Sequence, residues 1–253
     1  MRRSRKILGI LMSLAFCLSL FSSCGSGAKK VEGYPQIDGT TREGDVTAVM
    51  EVEDYGTIKL VLYGSVAPKA VENFVKLAQK GYYDGLTFHR VMEEFMIQGG
   101  DPNGNGTGGE SIWGGKFDDE ISASLYHFRG ALCYANSGPD SNGSQFYIVQ
   151  CTENGYADED FDYYEEYAKQ VLDYEKQNNV YKSGYPHCTD YPDEVREYYR
   201  QVGGYPYLDS SYTIFGQVLE GMDVVDAIAA VEVNAENNCP VQPVVIRSIT
   251  IEE

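Results

Sequence analysis

Two stretches hold most of the residues whose types and spacing could do chemistry. Phe88-His89-Arg90-Val91 runs on to Phe95-Met96-Ile97-Gln98-Gly99-Gly100-Asp101, and Ala135-Asn136-Ser137-Gly138-Pro139 runs on to Asn142-Gly143-Ser144-Gln145-Phe146-Tyr147. Arg90 is a permanent cation carrying a planar fork of donors, suited to electrostatic work. Taken singly, these residues have ordinary structural readings: an arginine sits in surface ion pairs, and aromatic and methionine side chains fill cores. Other chemistries find less support. His89, His127 and His187 make no ligand spacing and no visible triad, so packing or surface roles are expected for all three. Cys133, Cys151, Cys188 and Cys239 contain no C-x-x-C pair, which argues against metal ligation and thioredoxin-like redox work. Those four thiols allow three pairings, although Cys133, in an apolar run, is expected to be a buried free thiol. Asp158, Asp160 and Asp162 alternate like the start of a calcium loop, but Tyr163 stands where glycine is needed and Lys169 where the closing glutamate belongs. They suit a helix N-terminus instead, and no metal is assigned.

In residue type, order and spacing the two stretches resemble the active-site signature of the cyclophilins, which are peptidyl-prolyl cis-trans isomerases. The resemblance implies that Arg90 and Gln98 are catalytic, with Gln98 orienting the guanidinium and contacting the substrate backbone. It implies an apolar proline pocket made by Phe95, Met96, Tyr147 and Leu208, and substrate contacts at Ala135, Asn136, Gln145 and Tyr212. The loop Gly104-Asn105-Gly106-Thr107-Gly108-Gly109 lacks the Lys-Ser/Thr of a phosphate-binding loop and matches a cyclophilin loop that lines the binding groove, so Gly106 joins the substrate-binding set. Tyr147 stands where phenylalanine is commoner and could place a hydroxyl at the pocket edge. Tyr207 aligns with a tryptophan and Tyr212 with a histidine of many eukaryotic members, which leaves cyclosporin-type binding open; the tyrosine at the latter position is similar to the bacterial branch. Trp113 matches a position commonly aromatic and reads as structural.

The implied chemistry needs no nucleophile and no cofactor. Rotation about an amide breaks its resonance against a barrier of roughly 18–20 kcal/mol, and uncatalysed X–Pro interconversion takes ~10–100 s. In the twisted amide the prolyl nitrogen is pyramidal and accepts a hydrogen bond that the planar ground state cannot. A fixed donor there stabilises the transition state selectively. Proline-containing, extended polypeptides are the implied partners.

The elements that must position these residues read as a mainly β chain. Strand-like runs fall at Val46 to Val52, Thr57 to Tyr63, Gly130 to Ala135, Gln145 to Cys151, Thr213 to Val218 and Val244 to Ile251. A helix starts at Pro68 and stops at Gly81, with Val71, Phe74, Val75 and Ala78 at helical spacing, and a second runs from Gly221 to Val231. The resemblance makes this a closed eight-stranded antiparallel cyclophilin-like barrel capped by two helices. Residues from about 154 to 205 are a tyrosine-rich acidic insertion. There Tyr164, Tyr167, Ala168, Val171 and Leu172, then Val195, Tyr198, Tyr199 and Val202, predict two helices packed on the barrel or each other. The insertion is too short to trust with an independent core.

The 253 residues carry a formal charge of −18, which argues against nucleic acid and anionic membrane surfaces as partners. Arg2, Arg3, Arg5 and Lys6 precede an apolar run from Ile7 to Phe21, a signal-peptide pattern over residues 1–23 and too short for a permanent span. Ser22-Ser23-Cys24-Gly25 resembles the lipobox of bacterial lipoproteins, with Phe21 where leucine is usual, so Cys24 is the expected lipidation site and ordinary cleavage with secretion the alternative. Residues 24–44 read as a flexible tether and 45–253 as the cyclophilin-like domain. The expected function is an exported, membrane-anchored, monomeric peptidyl-prolyl isomerase assisting secreted chains as they fold. The alternative is a proline-peptide binding module or holdase with little turnover.

Overall fold

The computed structural model describes residues 33–178 and 187–252; the signal segment and Cys24 lie outside them. Eight strands form one antiparallel sheet: β1 (Val46–Val52), β2 (Gly56–Leu62), β3 (Arg90–Met92), β4 (Met96–Gly99), β5 (Ala131–Tyr134), β6 (Phe146–Val149), β7 (Ile214–Glu220) and β8 (Ile246–Glu252), in the spatial order β3-β4-β6-β5-β7-β2-β1-β8. The sheet curves into a half-barrel whose ladder stays open between β3 and β8. Closure by a strand pair, expected from the sequence, is therefore not made; instead the approach to β3 lies along the approach to β8. Phe88 N–H donates to Val244 O (3.0 Å), Val91 N–H to Asn238 O (2.8 Å) and Ile246 N–H to Leu86 O (2.8 Å), so the seam's backbone groups are satisfied without a continuous ladder.

Helices α2 (Pro68–Gln79) and α5 (Met222–Ala229) pack on the inner face. Pro68 opens α2 where its missing N–H costs nothing, and the Glu120 carboxylate accepts the otherwise orphaned N–H of Ala70 at 2.9 Å. Ala70, Val71, Phe74, Leu77 and Ala78 are buried, as are Val224, Val225, Ile228 and Ala229 of α5. These meet Met50, Leu60, Val91, Ile97, Leu132, Phe146 and Phe215 from the strands in one core. Truncating a residue such as Phe74, wholly buried between Tyr83, Phe146 and Phe215, to alanine costs about 3–5 kcal/mol.

The opposite face of β4-β6-β5-β7 is also covered. Met96, Ala131, Cys133, Tyr147, Val149 and Ile214 form a second cluster there, closed over by Phe95, Leu125, Tyr205, Leu208 and Tyr212. That is why β5 and β6 are buried at every position rather than at alternate ones.

The insertion folds as two helices, α3 (Asp158–Gln177) and α4 (Asp193–Val202). Phe161, Tyr191, Val195 and Tyr199 bury themselves with Tyr126 and Phe128 of the barrel in a third cluster, so the insertion's core is shared. Its three alternating aspartates have structural partners: Asp160 accepts the N–H of Ala157 (2.8 Å) at the start of α3, Asp158 accepts from Arg200 (2.5 Å), and Asp162 from Arg196 (3.2 Å). The tether expectation needs shortening. The helical turn α1 (Pro35–Asp38) docks on the same third cluster through Tyr34 and Ile37. Gln36 is buried, accepting the N–H of Tyr126 (2.8 Å) and donating to Tyr126 O (2.9 Å) and Gln217 (2.9 Å), so residues 34–38 belong to the folded body.

Candidate active site

The strand register assembles the candidate residues. Arg90 on β3 pairs with Gln98 on β4, and Gln98 pairs with Tyr147 on β6, so the three side chains stand in a row on the outer face. Their neighbours Val91 and Ile97 point to the inner core. The β3–β4 turn then lifts Phe95 over the end of that row. Glu94 takes a left-handed conformation (φ 56°), and its carboxylate accepts both the N–H (2.9 Å) and the hydroxyl (2.7 Å) of Thr152. Gln150 returns a hydrogen bond from its N–H to Phe95 O (2.9 Å) while its side-chain oxygen accepts the N–H of Glu94 (2.8 Å). Gln150 is in turn tied to Asp226 (2.9 Å), which also holds Arg129.

A hollow of about 150 Å³ results, walled by Arg90, Phe95, Met96, Gln98, Ala135, Asn136, Tyr147, Leu208 and Tyr212. These are the sequence-expected site residues with two exceptions, Gly106 and Gln145. Gln145 stands behind Gln98: Arg90 Nη1 donates to Gln98 Oε1 (3.3 Å), Gln98 Nε2 to Gln145 Oε1 (2.9 Å), and Gln145 Nε2 to Gly108 O (2.8 Å). This chain of carboxamides fixes which face of Gln98 meets the guanidinium. The guanidinium carbon also lies 5.9 Å from the centre of the Phe95 ring. Arg90 is half-buried with no carboxylate partner among the described ion pairs, so its charge is available to a ligand.

Gly106 lies in an exposed loop that ends on Gly108. The N–H groups that could have cradled a phosphate turn inward on the Asp101 carboxylate: Asn103 (2.9 Å), Asn105 (3.0 Å), Gly106 (2.6 Å) and Gly108 (3.0 Å) all donate to it. Burial pushes the Asp101 carboxyl up, but these N–H donors outweigh it and hold the group below the usual carboxylate range. A Cβ on Gly108 would collide with Asp101 Oδ1, which explains the glycine there. Asp101 therefore acts as the loop's internal anchor and, through Gly108 O, as the far end of the chain that positions Arg90. His89, next to the catalytic candidate, is buried, and desolvation lowers its imidazole below the ordinary value.

Tyr147 differs from expectation. Its hydroxyl is not at the pocket edge but buried beneath it, 2.9 Å from His127 Nε2. Burial pushes the phenol far above its ordinary range, so it stays protonated; on the other side of the ring the Asp209 carboxylate accepts from His127 Nδ1–H at 2.8 Å. Asp209 also accepts the His127 N–H (2.8 Å) and the hydroxyls of Tyr191 (2.8 Å) and Tyr199 (2.7 Å). The packing role expected for His127 thus includes a fully buried polar relay, from the pocket floor to two insertion tyrosines. No sequence spacing marks it, since its members are far apart in the chain. Across the hollow, Asp119 ties down the other binding stretch, accepting from Asn142 (2.7 Å), Thr213 (3.2 Å), Asn136 (3.4 Å) and the N–H of Asp140 (2.7 Å).

Cys133 and Cys151 are buried free thiols, and burial raises both; Cys188 and Cys239 are half-buried and also free. Trp113 is half-exposed with its ring 5.6 Å from Phe117. Among the described residues no helix is long and apolar enough to cross a membrane.

Comparison with known proteins converges on one family. The family model described as "Cyclophilin type peptidyl-prolyl cis-trans isomerase/CLD" matches residues 47–251. A Staphylococcus aureus (strain COL) protein named for peptidyl-prolyl cis-trans isomerase activity is 40% identical over 222 residues, 87% of this chain and 98% of that protein. A Staphylococcus haemolyticus (strain JCSC1435) protein of the same name is 40% identical over 220 residues. Among solved structures, a Cryptosporidium parvum cyclophilin-type isomerase superposes with a TM-score of 0.59 at 29% identity, covering 83% of this chain and 98% of its own. A second crystal structure of that protein, in the presence of the dipeptide Ala-Pro, matches with the same TM-score at 28% identity, covering 82% and 99%.

Proposed function

The chain belongs to the cyclophilin-type peptidyl-prolyl cis-trans isomerase family, and from that premise we propose that Arg90 drives the isomerisation and that the clients are exported polypeptides folding outside the cytoplasmic membrane. The observation that carries the chemical part is the placement of a half-buried, carboxylate-free guanidinium in the wall of a hollow of proline size, facing the apolar side chains of Phe95, Met96 and Leu208. The prolyl ring enters against Phe95, Met96, Leu208 and the face of Tyr147. Arg90 donates to the prolyl nitrogen as it becomes pyramidal, an interaction the planar amide does not offer. Gln98, held by Gln145, keeps the guanidinium in that orientation and offers its remaining polar groups to the substrate backbone. Asn136, Ala135 and Gly106 bind the flanking peptide in an extended conformation, which gives affinity with little demand on its side chains.

The location rests on the basic and apolar leader and on the Ser22-Ser23-Cys24-Gly25 stretch. In this reading Cys24 is lipidated and the catalytic body is held near the membrane as a monomer, so that it meets secreted chains as they emerge. Mass spectrometry of the mature N-terminus checks the anchor; an unmodified residue other than Cys24 there would refute it.

The test of the chemistry is a prolyl-peptide isomerisation assay on the whole chain and on Arg90→Ala. Removing one donor that acts only in the transition state lowers kcat/KM by about 100-fold, roughly 2.7 kcal/mol, with peptide affinity nearly kept. An Arg90→Ala variant as fast as the parent overturns the assignment. A parent that binds proline peptides without accelerating their isomerisation supports the binding-module alternative.

A further inference from the structure

Of the stripe of α3 that helical spacing marks for packing, Tyr164 alone packs against the third cluster. Of that helix only Phe161 and Glu165 are buried; Tyr164, Tyr167, Ala168 and Val171 instead wall a groove of about 610 Å³. Its opposite side is the 136–139 loop and the 206–212 turn. Tyr207 from that turn stacks on Tyr167, with ring centres 5.8 Å apart and planes at 28°, so the insertion and the barrel meet at one end of the groove through exposed aromatic faces. The groove and the prolyl hollow share two walls, Asn136 and Tyr212, which sets them side by side.

The lining also has a sign. Among the described residues it contains the carboxylates of Asp119, Glu175 and Asp209, no lysine or arginine, and one histidine, His187, which faces Glu175 at 3.0 Å. Asp119 and Asp209 are enclosed and hydrogen-bonded mainly by neutral donors, and Glu175 meets His187, so the negative sign persists beside the tyrosine faces; on a chain of formal charge −18 this attracts cations over aromatic rings and repels anions. We propose that this groove is an extended subsite that holds the segment of the client polypeptide on one side of the isomerised bond, selecting lysine, arginine and apolar side chains. The proposal rests on the isomerase reading, since adjacency to the prolyl hollow is what names the occupant. The insertion then sets substrate preference without touching the reacting amide.

The experiment compares a four-residue X–Pro peptide with versions extended by four residues at either end, the extension being Lys- and Leu-containing or Glu-containing. Because the groove meets the hollow on one side, a basic extension at one end alone raises kcat/KM by about tenfold, the glutamate version does not, and the gain shrinks as salt rises. In Tyr167→Ala, and separately in Ala168→Arg, the ratio of extended to short peptide falls towards one, with folding of each variant checked by circular dichroism. Equal gains from both ends, equal gains from glutamate, or a gain kept in both folded variants would overturn the subsite. If the parent fails on the short peptide the isomerase reading is what fails. Calorimetric binding of the basic extended peptide then decides the groove separately, binding lost in Tyr167→Ala supporting it and no binding to the parent refuting it.

Discussion

Gln98 and Tyr147 are register partners on adjacent strands and both wall the prolyl hollow, yet their surroundings differ in kind. Gln98 is half-buried in a run of carboxamide hydrogen bonds, with Arg90 on one side and Gln145 on the other. Tyr147 is buried and its polar end points away from the substrate, into the His127–Asp209 relay. The first arrangement leaves a cation accessible while fixing its direction. The second spends its polar atoms on holding the floor in place and on joining the insertion to the barrel. Transition-state stabilisation needs donors that still have capacity; a pocket floor needs none. The two halves of the hollow should therefore fail differently, one in rate and the other in stability.

The largest effect is expected from the buried half. In Asp209→Ala, the ring and backbone of His127 and the hydroxyls of Tyr191 and Tyr199 all lose their acceptor at a site whose side chain is almost wholly enclosed. Leaving buried donors unsatisfied costs ~1–3 kcal/mol each before relaxation, so a loss of roughly 3–5 kcal/mol is expected in a denaturant titration. The variant should retain most of its kcat/KM wherever it remains folded. A rate loss of 100-fold with an unchanged unfolding midpoint would reverse the comparison.

Asp101 tests the other half from a distance. Asp101→Asn keeps the shape but weakens the charge-assisted bonds to the loop that ends on Gly108, and so loosens the support behind Gln145, Gln98 and Arg90. A stability loss of about 1.5–3 kcal/mol at neutral pH and a several-fold drop in kcat/KM are expected. The pH dependence has a definite sign. Because the folded Asp101 carboxyl lies below its ordinary value, its contribution is complete above about pH 4 and is lost as pH falls through the folded value. Melting curves of parent and variant should converge between about pH 5 and pH 2; a gap that stays constant would show that the carboxylate charge is not what anchors the loop.

The contrast also explains what could be read from the chain. Long alternating or continuous apolar runs marked β1, β2, β5, β6, β7 and β8 to within a few residues, and both barrel helices announced themselves through Pro68, Gly81 and Gly221. The strands bearing Arg90 and Gln98 are three and four residues long, so no periodicity could develop there, and only the motif located them. The hollow was legible because all its residues but Leu208 and Tyr212 cluster in two stretches, and those two followed from the family resemblance. The relay was not, because His127, Tyr147, Asp209, Tyr191 and Tyr199 meet only after folding, and each reads singly as an ordinary core residue or surface acid. Residues 34–38 read as tether for a related reason: five residues with one buried glutamine leave no compositional trace, and their partner Tyr126 is 90 positions away from Gln36.

The smallest change probes the boundary between the halves. Tyr147→Phe removes one hydroxyl from beneath the pocket while keeping the ring face that the proline would meet. His127 Nε2 then lacks its hydroxyl partner in a dry site, a cost of about 1–2 kcal/mol. The isomerisation rate should stay within about threefold of the parent, since no part of the Arg90–Gln98–Gln145 chain passes through Tyr147. In a double-mutant cycle with Asp209→Asn, the two stability losses should add to less than their sum, because both act on His127. Full additivity would mean that Tyr147 is held by packing alone and that the relay ends at the histidine.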